Sequence, residues 1–258
     1  MPSVVRVNKL VAQLGLASRR RADTLISSGR VLVNGTPAVL GQMVPEDASV
    51  CLDEVARRQQ ARLATFAVNK PPSFMSMSGG GGLPGARLAV HLLTKENQHQ
   101  RCRWHGEPRY LPNLAPAGRL DTESEGLLIL TQDGQVASSL IGPNTNIDKE
   151  YMVTVSGLSE ADDPESIVSL LRHGLSLDGH QLKPADVEWV YTDGDIGQLK
   201  FILWEGRKRQ IRRMCDQLGL QVTRLVRVRI GGLNLAGMRV GYWRHLTPHH
   251  LRQLVQSK

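Results

Sequence analysis

Cysteine is scarce in this chain of 258 residues: Cys51, Cys102 and Cys215 are widely spaced and include no CxxC pair. An odd, scattered set argues against a disulfide framework and a cysteine-rich zinc site, and suits a reducing compartment. No apolar run approaches the roughly 20 residues that span a bilayer. The first residues also lack the apolar core of a secretory signal. The sequence therefore predicts a cytoplasmic protein with no membrane partner. Clustered metal ligands are missing, and the glycine run around Gly81 is not followed by GK and Ser or Thr, so it is no phosphate loop. Neither a metal nor a cofactor is implied. No heptad or self-complementary stripe marks an oligomer, so a monomer is expected. Acidic residues are in deficit, 24 against 32 basic, which leaves a net charge of +8. Such an excess favours a polyanionic partner, nucleic acid ahead of membrane.

What is present divides into two modules. Apolar residues make up 41% of the chain, enough to build a core. In the first module, residues 1–53, Leu10, Val11 and Leu14 recur at helical spacing and Gly15 ends the helix. Ser18 is a good N-cap for a second helix that turns Ala22, Leu25 and Ile26 inward and stops at Gly29. Val31 and Val33 then alternate up to Asn34-Gly35, a strong signal for a tight hairpin, and a last strand follows around Val50. Arg19, Arg20 and Arg21 occupy the first turn of the second helix, where the helix dipole disfavours positive charge. Phosphate contact is a use that explains accepting that cost. The run RVNKLVAQLGLASRRRADTLISSGRVLVNG resembles the small RNA-binding module named after ribosomal protein S-four, which implies an RNA partner and no particular reaction.

Residues 54–63, EVARRQQARL, read as a polar linker to a second module over residues 64–258. Within it, residues 73–113 lose periodicity and are expected to be a flexible insertion. Strands are predicted at 126–130, 149–156, 185–192, 197–204 and 220–231, with helices near 133–141, 163–173, 207–218 and 247–257. Predominant strands with scattered helices point to an α+β domain on a mostly antiparallel mixed sheet.

Two segments carry chemistry. GRLDTESEGLLILT, residues 118–131, places Asp121 on a polar turn ahead of a buried strand, with Arg119 two residues before it. Glu123 and Glu125 share the turn, so spacing alone does not choose among the three carboxylates. In EGRKRQIRRMC, residues 205–215, Ile211, Met214, Cys215 and Leu218 form one helical stripe. At about 100° per residue Arg209 and Arg213 fall opposite it, and Arg212 lies at its boundary, able to turn into a cleft. Arg227 and Arg229 alternate on one predicted strand and are expected to share a face that extends the basic surface.

The same segments resemble the bacterial pseudouridine synthases that modify ribosomal RNA. GRLDTESEGLLILT is similar to the family signature whose aspartate is catalytic, which falls on Asp121. DKEYMVTV resembles a second motif, whose tyrosine stacks on the target base, here Tyr151. FILWEGRKRQIRRMC resembles a third, whose arginine pairs with the aspartate, here Arg212. QIRRMC followed by GYWRHLTPHHL looks closest to the subgroup F enzymes of the large ribosomal subunit. The resemblance implies an isomerase that needs no cofactor and acts on ribosomal RNA, with a transfer RNA left open as a second substrate. It also implies that Arg119 helps fill the space left by the displaced base. One departure is plain: the family has KPxG where this chain has Lys70-Pro71-Pro72-Ser73, which puts the local turn in question. Two rival readings stand beside it. One is an RNA-binding assembly factor that kept the fold and lost the activity. The other is a hydrolase with Asp121, Glu123 and Glu125 around a metal, which the single short turn and the lack of a histidine pattern disfavour.

Overall fold

A computed structural model describes residues 3–77, 87–142, 145–159, 163–173, 175–235 and 237–256; the glycine run around Gly81 lies outside them. At the N-terminus β1 (Val4–Arg6) runs straight into α1 (Val7–Gln13), which buries Val7, Leu10 and Val11. Leu14 sits past the last helical residue and is exposed, so it is not part of the apolar face expected of it. The Ser18 side chain accepts the Arg21 backbone N–H and starts α2 (Arg19–Ser27), whose Ala22, Leu25 and Ile26 point inward. β2 (Val31–Val33) and β3 (Thr36–Pro37) are joined through Asn34 and Gly35, whose φ angles of 48° and 82° are those of the tight hairpin turn. β4 (Met43–Pro45) pairs with β1, and β5 (Val50–Leu52) with β2, over one small core.

The expected linker is instead a helix, α3 (Glu54–Ala61). Asp53 caps it by accepting the Ala56 N–H at 2.7 Å, and Ala56 is buried in the first module's core. A single inward alanine gives no apolar stripe, which is why composition alone reads this stretch as linker.

The second module follows in the order β6 (Thr65–Lys70), β7 (Ala115–Pro116), β8 (Glu125–Thr131), α4 (Gly134–Ile141), β9 (Lys149–Ser156) and α5 (Pro164–His173). A short hairpin, β10 (Ser176–Leu177) and β11 (His180–Gln181), leads to β12 (Asp186–Asp193), β13 (Ile196–Leu203) and α6 (Gln210–Asp216). The chain ends with β14 (Gln221–Ile230), β15 (Leu233–Asn234), β16 (Trp243–His245) and α7 (Pro248–Leu254). Nine of these strands make one sheet, in the order β12-β13-β9-β14-β8-β6-β16, with β15 on β14 and β7 on β8. All pairings are antiparallel except β14 with β8. This is the α+β architecture on a mostly antiparallel mixed sheet.

Both faces of the central strands are covered. Phe66 and Val68 pack with Phe201 and Trp243 on one side, while Ala67 packs with Leu127 and Leu254 on the other. Burial on two faces makes β6 and β8 read as continuous apolar runs. The segment expected to be a flexible insertion is packed over residues 87–113. It makes two short 3-10 turns, Ala89–Leu92 and Pro108–Tyr110, and buries Leu93 completely. Trp243 Nε1 donates to the Thr94 carbonyl at 2.6 Å, and the Trp104 ring meets Phe66 edge-on at 5.1 Å. Isolated anchors hold it in place of a repeating face, so it shows no period. The modules touch where α4 begins: Gln135 donates to the carbonyls of Ala12 and Ala17, and Gln60 donates to Asp133. A Cβ at Gly134 would lie 2.4 Å from that of Ser18.

Candidate active site

Asp121 lies between β7 and β8 on a loop tied down on both sides. The Leu120 N–H donates to Ser76 Oγ at 2.9 Å, and the Ser76 hydroxyl donates back to the Leu120 carbonyl at 2.7 Å. The Ser124 N–H closes the turn on the Asp121 carbonyl at 3.1 Å, and the Ser73 N–H reaches the Thr122 carbonyl at 2.8 Å. From below, the fully buried Lys70 donates to the carbonyls of Pro71, Phe74 and Thr122 at 2.9, 2.7 and 3.3 Å. Burial pulls this ammonium down to about 8; the charges of Asp121 and Glu125 oppose that, and Arg227 adds to it. Ser73 keeps the turn where the family carries glycine, at φ 66°. At the start of β8, glycine is compulsory: Gly126 has φ 105°, and a Cβ there would meet the Arg227 carbonyl at 2.2 Å.

Tyr151, on β9, is buried and stands across the sheet from Phe201 on one side and Arg227 on the other. Arg227 is buried too. Its Nε donates to the Leu127 carbonyl at 2.7 Å and its terminal nitrogen to the Arg119 carbonyl at 3.4 Å, joining the tyrosine's row to the aspartate loop. Arg229 does not share that face. A bulge in β14 sets Arg229 opposite Glu150, and it pairs with Asp148 at 2.6 Å and Glu150 at 2.9 Å. One extra residue reverses the two-residue alternation, so Arg229 is a buried structural cation and not part of a basic surface.

Arg212 leaves α6 toward the same loop, donating to the Val222 carbonyl at 3.1 Å and the Ser124 hydroxyl at 3.4 Å, with Glu123 at 3.8 Å. Burial lowers its pKa and Arg209 lowers it further, while the negative charge of Asp121 opposes both. The expected pairing with Asp121 is thus a through-space attraction without a direct ion pair. Arg209 precedes the helix with φ 54°, so the helical angle assigned to it does not apply; it turns over the loop and pairs with Glu123. Arg213 grips Asp178 through two bonds, at 2.9 and 2.6 Å. In α2, Arg19 and Arg20 are exposed, whereas Arg21 is half-buried and donates to Gln59 at 3.1 Å.

Asp121, Tyr151 and Arg212 line one cleft of about 640 Å³, together with Arg119, Arg209 and Arg227. Arg213, Arg229 and the three arginines of α2 do not line it. Lys149, Lys183 and Lys208 do, and none of them was singled out from sequence. Lys149 was within reach of pattern reasoning, since it lies two residues before Tyr151 on the same strand face. Burial brings its amine down to about 8, with Arg227 adding and Asp148 opposing. The other two carboxylates of the turn face arginines: Glu123 pairs with Arg209, and Glu125 takes two bonds from Arg224 at 3.0 and 3.1 Å. Among the described residues, no three acidic, histidine or cysteine side chains gather to hold a metal ion, and no helix is long and apolar enough to cross a membrane.

The sequence matches the S4 domain over residues 5–50 and the family described as RNA pseudouridylate synthase over residues 64–217. It is 31% identical over 252 residues to the ribosomal large subunit pseudouridine synthase B of Bacillus subtilis, covering 96% of this chain and 95% of that one. It is 31% identical over 262 residues to the dual-specificity RNA pseudouridine synthase RluF of Escherichia coli, covering 98% and 79%. A solved pseudouridylate synthase shares the fold, with a TM-score of 0.62 at 24% identity, covering 97% of this chain and 99% of that one. A basic cleft around a pinned aspartate loop, on this sheet and behind an RNA-binding module, agrees with those matches: the chain belongs to the RNA pseudouridylate synthase family, enzymes that isomerise uridine.

Proposed function

We propose that this enzyme converts a specific uridine of large-subunit ribosomal RNA to pseudouridine, with Asp121 as the reacting carboxylate, Tyr151 under the uracil and Arg212 as the cation facing them. The observation that carries the reading is that these three side chains, from a loop, a strand and a helix far apart in sequence, line one cationic cleft. The relative named for the large ribosomal subunit supports the choice of RNA, and the dual-specificity relative keeps a transfer RNA as a second candidate. In this reading the acting unit is a monomer working in the cytoplasm.

The reaction breaks the N1–C1′ bond, turns the uracil and forms a C5–C1′ bond; C5 loses a proton and N1 gains one. Atoms balance without an oxidant or a donated group. Asp121 has three routes open: attack on C1′, addition at C6 of the base, or removal of the C2′ proton to give a glycal. In each, the loop that carries the carboxylate must stay in one place, and the Ser76, Lys70 and Ser124 bonds to its backbone support that. Tyr151 stacks on the freed uracil, a contact worth about 1–3 kcal/mol. Drawing the nucleotide out of its helix costs a few kcal/mol, and Arg119 at the cleft fills the gap it leaves. The exposed Arg19 and Arg20 hold surrounding phosphates, so affinity falls steeply with salt.

The test is conversion of ribosomal RNA that lacks the modification by purified protein, with Asp121→Asn beside it. The variant should bind RNA as the parent does and make no pseudouridine. Appreciable product from Asp121→Asn removes the catalytic assignment. Product from neither protein, on any large-subunit RNA, supports the inactive assembly factor instead.

A further inference from the structure

The four tryptophans of the chain do not share one role. Trp104 and Trp243 pack around Phe66, and Trp189 joins the same core and donates its Nε1–H to the Pro164 carbonyl at 2.9 Å. Trp204 belongs to none of the three apolar cores and is half-buried in the wall of the cleft. Among the described residues its indole has no ring partner and its N–H no acceptor. Such a side chain gains little from folding where it stands.

We propose that Trp204 is the stacking platform for a base adjoining the target uridine, and so a specificity-determining residue of the cleft. The inference rests on the RNA-isomerase reading above. Phe201 pairs across the sheet with Tyr151, and Trp204 follows three residues later. Trp204 stands just past the end of β13, and three extended residues span about 10 Å, which sets it apart from Tyr151 along the cleft and suits it to the uracil's neighbour in the strand. Lys183, Arg207 and Lys208 line the cleft with it. An open π-face beside cations is what a splayed nucleotide needs, one surface for the base and another for the phosphate.

The backbone turn that follows Trp204 is fixed by its own bonds. Glu205 accepts the Lys183 backbone N–H at 3.2 Å and the Gln210 side-chain amide at 2.9 Å. The Gln210 side-chain oxygen in turn accepts the Arg207 N–H at 2.9 Å. The turn after β13 is therefore closed on itself, and stacking there costs little additional ordering.

The experiment uses the full chain and a large-subunit RNA stem-loop whose target uridine has been mapped with the parent enzyme. Trp204→Ala should lower kcat/KM by about 5- to 150-fold, mostly through KM, with thermal unfolding unchanged, and Trp204→Phe should recover most of the loss. An abasic nucleotide beside the target should cost the parent enzyme a similar factor and cost Trp204→Ala nothing more. Unchanged kcat/KM in Trp204→Ala, or abasic and alanine losses that simply multiply, overturns the proposal while the function stands. If the parent enzyme converts no uridine, the functional reading falls and this inference falls with it.

Discussion

Arg227 stands directly across the sheet from Tyr151, while Arg229, two residues on, stands across from Glu150. The bulge between them sends one guanidinium into the cleft and buries the other in a carboxylate pair. Their identical side chains therefore predict different phenotypes. Arg229→Met removes the buried guanidinium that Asp148 and Glu150 share and should cost about 3–5 kcal/mol of stability. Denaturant unfolding measures that loss, and RNA affinity of the folded fraction should keep its salt dependence. A weaker salt slope in Arg229→Met returns it to the RNA face.

Ser73 is an exposed, non-glycine residue at φ 66° in the turn beneath the aspartate loop. The left-handed conformation costs an ordinary residue roughly 1–2 kcal/mol. Ser73→Gly should stabilise the protein by about 1 kcal/mol after the entropy of glycine is counted, raising the melting temperature by about 2–4 °C. Pseudouridine formation should be unchanged. A lower melting temperature means that the serine contributes more than it costs.

Lys70 and Lys149 both titrate near 8 in the folded chain, against an ordinary 10.5, chiefly because they are buried. Between those two values the unfolded chain carries more protons on these amines than the folded one. Stability therefore rises with pH across the window, and the burial penalty is fully present below it. Urea midpoints on either side of the window measure the slope, and Lys149→Met should flatten it. An identical slope in that variant means that Lys149 keeps its ordinary affinity for protons.

Cys215 lies wholly buried on the inner stripe of α6, and burial pushes its thiol up to about 12 despite the nearby Arg212. Cys51 is exposed. A thiol reagent near neutral pH should label Cys51 quickly and reach Cys215 only on unfolding. Peptide mapping by mass spectrometry reads the order. Labelling of Cys215 at the rate of Cys51 contradicts the burial.

Much of this protein follows from local rules that any fold must respect. The N-cap at Ser18, the Asn34-Gly35 turn, the strand at Lys149–Ser156 and the inner stripe of α6 depend on neighbours a few residues away, and periodicity exposes them. Asp121, Tyr151 and Arg212, which line one cleft, can be singled out because short motifs carry them. Other features were out of reach because their causes are distant in the chain. Ser76 is bonded to Leu120 across 44 residues, and the face of Arg229 depends on a bulge against a strand 79 residues away. Residues 87–113 are pinned at single points such as Thr94 and Trp104, which leave no repeating pattern to read. Sequence by itself determined the helices and hairpin of the first module, the main strands of the second and the short motifs that single out Asp121, Tyr151 and Arg212. Only the tertiary structure decided which arginines meet in the cleft and which are absorbed by carboxylates, because charge pairing depends on distances that long-range packing sets.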